Sequence, residues 1–399
     1  MAEWIECKIS DIGTVVGGAT PSTKKTEYYE GGNIAWITPK DLATFSGRYI
    51  QRGERNITEI GLKSCSTQLL PQNTILFSSR APIGYAAIAA NEVCTNQGFK
   101  SVIPNEDTDP LFLFYLLKYN KDRIEGMGSG TTFKEVSGNT MKNIVVNVPA
   151  DKEIQTKIAS LLGAIDDKIE ENERINNNLE QQASTLFNSA IEQSTSVVYA
   201  ELGSLADVKG GKRLPKGINL VTAPNKHPYI RVRDLNNTVF ASLSNNYEYV
   251  DDETQQSISR YIVSTGDLLI SIVGTIGLTA IVDHTLNKAN LTENCVKLTN
   301  LKNVTPEYLL LFLRSSQGVE AISKGTVGAV QLKLPIKNIQ SIAVPLLCDE
   351  ELLPLNETLS AIFSQISANI VEMKQLADIR DTLLPELMSG ELDVSDLDL

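Results

Sequence analysis

Residues able to do acid–base, metal or nucleophilic chemistry are few and scattered in this 399-residue chain. The two histidines, His227 and His284, stand at no spacing that pairs them with a cysteine or carboxylate as metal ligands or general bases. Five cysteines (Cys7, Cys65, Cys94, Cys295, Cys348) form no CxxC pair. They read as reduced thiols of a cytoplasmic protein, without a disulfide frame or zinc site. Asp166-Asp167 falls on an acidic helical face and reads as solvation. A methyltransferase that flips adenine needs an Asn-Pro-Pro-aromatic motif, and the chain has no Pro-Pro pair. A Walker A loop is also missing, and Gly126-Met127-Gly128-Ser129-Gly130 has the wrong spacing for one, so it reads as a flexible loop. No catalytic residue, metal site or cofactor site is therefore expected.

Composition fits a globular chain, with 42% hydrophobic and 21% charged residues. No apolar run reaches the roughly 18 residues that span a bilayer. Met1-Ala2-Glu3-Trp4 lacks a signal-peptide pattern. The net charge of −12 is unevenly spread. Residues 1–150 carry 15 basic and 15 acidic side chains, and residues 198–346 carry 15 and 12. The acidity lies in residues 151–197, with 4 basic and 9 acidic, and in 347–399, with 2 and 12. Net charge excludes a polyanionic partner only when it describes the binding face, so the two long neutral-to-basic stretches remain open to one.

The chain repeats itself. Gly17-Gly18 recurs as Gly210-Gly211, Trp36-Ile37 as Tyr229-Ile230, and Asp41-Leu42 as Asp234-Leu235. Ile75-Leu76 with Ile83-Gly84 recurs as Leu268-Leu269 with Ile276-Gly277, all at an offset of 193. Further on, Gly130-Thr131 matches Gly325-Thr326, and Lys142-Asn143-Ile144 matches Lys337-Asn338-Ile339, at 195. Val148-Pro149 matches Val344-Pro345 at 196. A slow drift in order along the chain is the mark of tandem duplication with small loop insertions.

Each copy predicts the same elements. Strands are expected at 34–38, 74–78 and 86–90, and again at 229–232, 268–272 and 279–282, separated by Gly, Asn and Pro turns. A short helix follows near 110–120 and 306–316, with Pro in its first turn. A Gly/Thr loop then leads to a strand ending at Pro149 or Pro345. The fold class is α+β, with two repeated domains of twisted, mainly antiparallel sheet at 1–150 and 196–346. Long helices are expected at 151–195 and 347–388, and an acidic tail at 389–399.

The helical stretches carry heptad spacing. Ile158, Leu162, Ile165, Ile169, Asn172, Asn176, Leu179, Ala183 and Leu186 alternate steps of 4 and 3. Leu355, Leu359, Ile362, Ile366, Asn369, Met373, Leu376, Arg380 and Leu383 repeat that pattern at an offset of 197. This is a seam that packs on another helix. Asn172 and Asn369 sit at the two midpoints and would meet in either a parallel or an antiparallel pair. A chain that runs out along one helix, builds a domain and returns favours antiparallel, with approximate two-fold symmetry. The other reading is that each helix packs on its own domain. The seam spans 28 residue steps, about 42 Å, close to the roughly 34–36 Å of one DNA turn.

The run Gly17-Gly18-Ala19-Thr20-Pro21-Ser22 with Tyr28-Tyr29-Glu30-Gly31-Gly32-Asn33-Ile34-Ala35-Trp36-Ile37 resembles the opening of a target-recognition domain in type I restriction-modification specificity subunits. Ile75-Leu76-Phe77-Ser78-Ser79-Arg80-Ala81-Pro82-Ile83-Gly84, Asn96-Gln97-Gly98-Phe99-Lys100 and Ser129-Gly130-Thr131-Thr132-Phe133 resemble its later blocks. So does the closing Leu383-Leu384-Pro385-Glu386-Leu387-Met388-Ser389-Gly390-Glu391-Leu392. Gly210-Gly211-Lys212-Arg213-Leu214-Pro215-Lys216-Gly217 with His227-Pro228-Tyr229-Ile230-Arg231-Val232 resembles another domain subtype of the family. One departure is Glu153-Ile154-Gln155, which only approximates the family's Glu-Gln pair, with Glu350-Glu351-Leu352 in the second copy.

The resemblance implies a DNA-binding subunit without catalysis of its own. It would join two methyltransferase subunits and, in some systems, two restriction subunits. S-adenosylmethionine, and ATP with Mg, would belong to those partners. Phosphate contacts favour Lys, Arg and backbone amides, whereas base reading favours Arg, Asn, Gln, Ser and Thr on loops. The candidates are Lys24, Lys25, Lys40, Arg80, Thr131, Thr132 and Lys134 in the first domain. In the second they are Lys212, Arg213, Lys216, Arg231, Arg233, Lys324 and Gln331. These loops differ most between the copies, which predicts an asymmetric target of two half-sites. The alternative is a bivalent protein-interaction scaffold on a coiled coil.

Overall fold

The computed structural model describes residues 2–130, 134–236 and 238–397. It forms two compact units, Met1–Asn172 with Glu372–Leu399, and Glu173–Val371. Each long helix is thus divided between the units; neither stands as a separate body.

In the first unit, strand Trp4–Lys8 pairs antiparallel with Val145–Pro149. A five-stranded sheet runs in the order Gly13–Gly17, Lys100–Pro104, Ile75–Phe77, Ala86–Ala89, Tyr49–Ile50. It is antiparallel except at its Tyr49–Ile50 edge. A smaller sheet orders Arg55–Ile57, Ile34–Ile37 and Cys94–Thr95. Helix Pro110–Tyr119 begins with Pro at its first turn, and the Asp109 side chain caps it by accepting from the Phe112 amide at 2.9 Å. Its residues Phe112 to Leu117 are all buried, against Ile75, Phe77 and Ile88 of the sheet.

The second unit repeats this order, except that the small sheet has two strands in place of three. Val198–Glu201 pairs with Ala343–Leu346. The five-stranded sheet runs Asp207–Gly210, Cys295–Thr299, Leu268–Ser271, Thr279–Val282, Phe240–Ala241, again with one parallel edge. Tyr229–Ile230 and Asn290–Leu291 form the small parallel pair. Helix Pro306–Arg314 is capped by Thr305 and buries Tyr308 to Leu313.

The repeat is real, but its late register differs from the sequence matches. Ile9 donates its amide to Ile144 and Leu202 donates to Ile342, so Ile144 corresponds to Ile342 and not to Ile339. Likewise Val146 faces Cys7 as Val344 faces Ala200. Chance identity of Lys-Asn-Ile and Val-Pro had masked a slightly larger insertion.

The long helices are Lys152–Gln193 and Asp349–Ser389, 42 and 41 residues. Pro354 and Pro385 lie inside the second helix near its ends, where few backbone bonds are lost. In the first unit, Arg380 binds Asp166 at 2.7 Å and Asn172 donates to Glu372 at 2.8 Å. In the second, Asn369 donates to Asn176 at 2.8 Å and Ser194 to Glu351 at 2.7 Å. Numbers rise on one helix as they fall on the other, so within each unit the segments run antiparallel.

Two features of the expected seam need correction. Asn369 takes Asn176 as partner, one turn from Asn172. Leu186 is 42% exposed whereas its neighbour Phe187 is buried. Both follow from each helix end also packing on its own domain. Ile158, Ala159 and Leu162 join the first unit's core, and Ala183 and Phe187 the second's. The buried face is therefore wider than a two-helix seam. Ile366, Asn172 and Asn369 are buried, while Ile165, Ile169, Leu179, Ile362 and Leu376 are half-buried.

Three other expectations change. Asp166 is not solvated; it is buried, accepting from the Tyr115 hydroxyl at 2.6 Å as well as from Arg380. Asp167, largely exposed, binds the buried Arg48. The tail folds back on the first unit, because Val394 is an apolar side chain that finds core: it is buried with Leu387 and Met388, and Lys157 holds the Ser395 carbonyl at 2.7 Å.

Candidate nucleic-acid interface

In both units one short loop closes against the same strand end. In the first, Ser129 and Glu135 exchange backbone hydrogen bonds at 3.0 and 2.9 Å, Val136 donates to Ser79, and Ser79 donates to Gly98. In the second, Val327 and Lys333 exchange bonds at 2.9 Å each, Leu334 donates to Ile272, and Ile272 donates to Asn294. The Ser129–Glu135 and Val327–Lys333 closures are therefore equivalent, with five residues of sequence between the partners in each. Each loop starts on a glycine at positive φ, Gly130 at 132° and Gly328 at 120°, a region that side-chain-bearing residues avoid. Gly130 thus corresponds to Gly328, not Gly325. Gly126 itself closes helix Lys121–Gly126, so the glycine-rich run 126–130 is a helix end tied to a closed loop.

The loops are anchored by different chemistry. Arg80 binds Glu135 at 2.9 Å and Lys100 binds it at 3.2 Å. Burial pushes the Glu135 carboxyl up, but the bonds from Lys100 and Arg80 outweigh it and hold it below the ordinary glutamate value. The corresponding positions in the second unit are Val273, Val296 and Lys333. There the loop carries exposed apolar side chains at Val327, Val330 and Leu332.

A second equivalent pair flanks each loop. Ala19 donates to the Thr95 carbonyl as Lys212 donates to that of Leu291, which places Thr20 with Arg213 and Gln97 with Glu293. Thr20 and Gln97 side chains are in hydrogen-bond contact. Arg213 binds Glu293 at 2.7 Å. Burial raises the Glu293 carboxyl, and Arg213 with other donors brings it net below its usual value. A cavity of about 480 Å³ opens between this ion pair and the loop, lined by Asn294, Gln331 and Lys333 among others.

The remaining candidates are placed as follows. Lys24, Lys134 and Lys216 are exposed. Lys25 stands 3.8 Å from Glu27 and over the Tyr28 ring, and Lys212 stands over the Tyr261 ring. Lys40 binds Glu54 at 2.8 Å; at the matching place Arg233 binds Glu248 at 2.7 Å and Arg231 shares that carboxylate. Lys324 belongs to helix Ser316–Gly325 and pairs with Glu320 one turn back, so it is not part of the loop. Thr131 and Thr132 lie outside the described residues. Sequence reading missed Lys100, Glu135, Glu293, Asn294 and Lys333. Only the corrected register of the repeat brings them to the site.

Gln155 links the first helix to its domain, accepting from the Asp109 amide and donating to the Pro149 carbonyl at 3.0 Å each. Leu352, buried, takes a core position near the start of the second helix. The departure from the family's pair there thus trades a polar tie for an apolar one. Among the described residues no group of three or more His, Cys, Asp or Glu side chains is placed to hold a metal. No described helix is long and apolar enough to cross a membrane.

Two copies of one α+β unit, each presenting a closed loop beside basic and amide side chains, define a duplicated recognition module. Residues 1–181 and 196–379 each match the family described as type I restriction modification DNA specificity domain. The chain belongs to this family, as a type I restriction-modification specificity subunit with two target-recognition domains. It is 33% identical to the type I restriction enzyme MjaIX specificity subunit of Methanocaldococcus jannaschii, over 99% of this chain and 95% of that one. It is 22% identical to the HindI specificity subunit of Haemophilus influenzae, over 98% and 100%. The crystal structure of a type I restriction-modification S subunit from M. genitalium shares the fold, with TM-score 0.60 and 16% identity over 99% of this chain and 97% of that one.

Proposed function

We propose that this subunit reads an asymmetric, bipartite DNA target without catalysing any reaction itself. Each unit reads one half-site, and the long helices determine the unspecified spacer and recruit two methyltransferase subunits, with restriction subunits in addition where the system has them. S-adenosylmethionine, and ATP with Mg, bind those partners in the cytoplasm, and none binds here. The observation that carries this reading is the pair of equivalent loops with unlike neighbours. Arg80, Lys100 and Glu135 meet beside one, and at the other Val273 and Lys333 stand at the matching places while Val296, in place of Lys100, is buried in the core. A shared scaffold supplies the same approach to a duplex, and unlike side chains supply different base preferences.

The test is methylome sequencing of cells that express the chain with its methyltransferase partner. Two different specified halves around a spacer of fixed length are expected; a palindromic motif refutes the asymmetry. A complex that binds no duplex, at any salt concentration, would return the chain to the protein-scaffold reading.

A further inference from the structure

We infer that the Arg213–Glu293 pair reads one G·C base pair in the half-site of the second unit. The inference rests on the reading that this unit contacts DNA, and it goes further by naming the residues and the base. Arg213 is 81% exposed on its side chain, yet its guanidinium is already oriented, because Nε donates to Glu293 at 2.7 Å. Glu293 is 30% exposed and faces the 480 Å³ cavity whose far wall is the loop carrying Gln331 and Lys333.

Charge decides what such a pair can approach. A lone exposed arginine suits a phosphate, but a carboxylate beside it repels one and would lose water against it without gaining a partner. In the major groove a G·C pair presents guanine O6 and N7 as acceptors next to the cytosine amino group as donor. A guanidinium and a carboxylate side by side match that order of acceptors and donor. An A·T pair presents acceptor, donor, acceptor, so an arginine spanning two adjacent positions sets one N–H against the adenine amino group, and the glutamate beside it then meets thymine O4. The first unit holds Thr20 and Gln97 at the same place, a neutral pair with no such preference. One scaffold position thus carries unlike readers in the two halves.

The experiment uses the full chain in complex with its methyltransferase partner. The variant Arg213→Thr with Glu293→Gln installs the pair of the first unit in the second. Binding is selected from duplex pools in which the wild-type motif is randomised one position at a time. At one G·C position, in one half only, the preference is expected to fall about tenfold or more, with the other half and the spacer unchanged. An intact motif overturns the inference. If affinity then falls equally for all duplexes and the salt slope drops by about 1, Arg213 is a phosphate contact. Should the double variant lose all selection, the near-isosteric Glu293→Gln is read in the same way. A preference changed at one G·C position, in one half only, supports the inference, and an unchanged motif or a second total loss overturns it. A wild-type complex with no bipartite motif fails the wider proposal, a distinct result.

Discussion

Asn369 donates its side-chain amide to Oδ1 of Asn176 across the helices of the second unit, at 2.8 Å, and both residues are buried. Gln365 in turn donates to Asn369 at 2.7 Å, so three side chains form a chain of amides where a coiled coil would hold aliphatic groups. Removing Asn369 takes this bond from the buried Asn176, whereas the exposed Gln365 can turn to water. Asn369→Ala is expected to cost about 1–3 kcal/mol, whereas Asn176→Leu with Asn369→Leu is near neutral in stability. Urea unfolding of the three proteins checks this, and equal costs for the single and double variants would contradict it.

Arg48 is the buried cation of the first unit, 6% exposed on its side chain. It binds Glu170 at 2.9 Å, the Gly163 carbonyl at 3.3 Å and Asp167, joining the recognition domain to the first long helix. Burial works against its charge, but the bonds to Glu170 and Asp167 keep the guanidinium more firmly protonated than usual. Arg48→Met is expected to destabilise the first unit by about 2–3 kcal/mol, the low side for a buried pair because Asp167 can rehydrate. Calorimetry should show that unit's transition roughly 4–12 °C lower; an unmoved transition would show the network to be idle.

The loop at 129–135 is expected to respond to acid. The folded Glu135 pKa lies below its unfolded value near 4.5, since Lys100 and Arg80 outweigh burial. The loop's anchoring is therefore complete above that value and is lost as pH falls through the lower folded one. Hydrogen exchange at the Ser129 and Glu135 amides should quicken in that window, and at neutral pH in Glu135→Gln. The Val327 and Lys333 amides, held by no such carboxylate, serve as the control. If they quicken equally, the carboxylate is not the anchor.

Lys24 is exposed and is expected to act as a phosphate contact. Lys24→Glu should weaken duplex binding by the assembled methyltransferase to a similar degree for every sequence and lower the salt slope by about 1, leaving the methylated motif intact. Titrations at several salt concentrations, with the methylome alongside, decide it. A changed motif would make Lys24 a base reader.

The sequence by itself determined the duplication, the strand order's main members and the two long helices. Those features depend on local patterns: apolar runs between Gly and Pro turns, Pro110 and Pro306 opening short helices, and steps of 4 and 3 over the helices. Tertiary structure alone decided the partners. Asn369 meets Asn176, and Asn172 meets Glu372, because the helix ends must satisfy the domain cores as well as each other, and that sets the register. Asp166 is buried because Tyr115 and Arg380, remote in sequence, converge on it. Glu135 and Glu293 join the candidate interface because the loop and strand ends fold together. Periodicity records which face of an element avoids water, but a hydrogen bond between distant side chains leaves no trace in spacing, so these pairings become legible only once the backbone is closed.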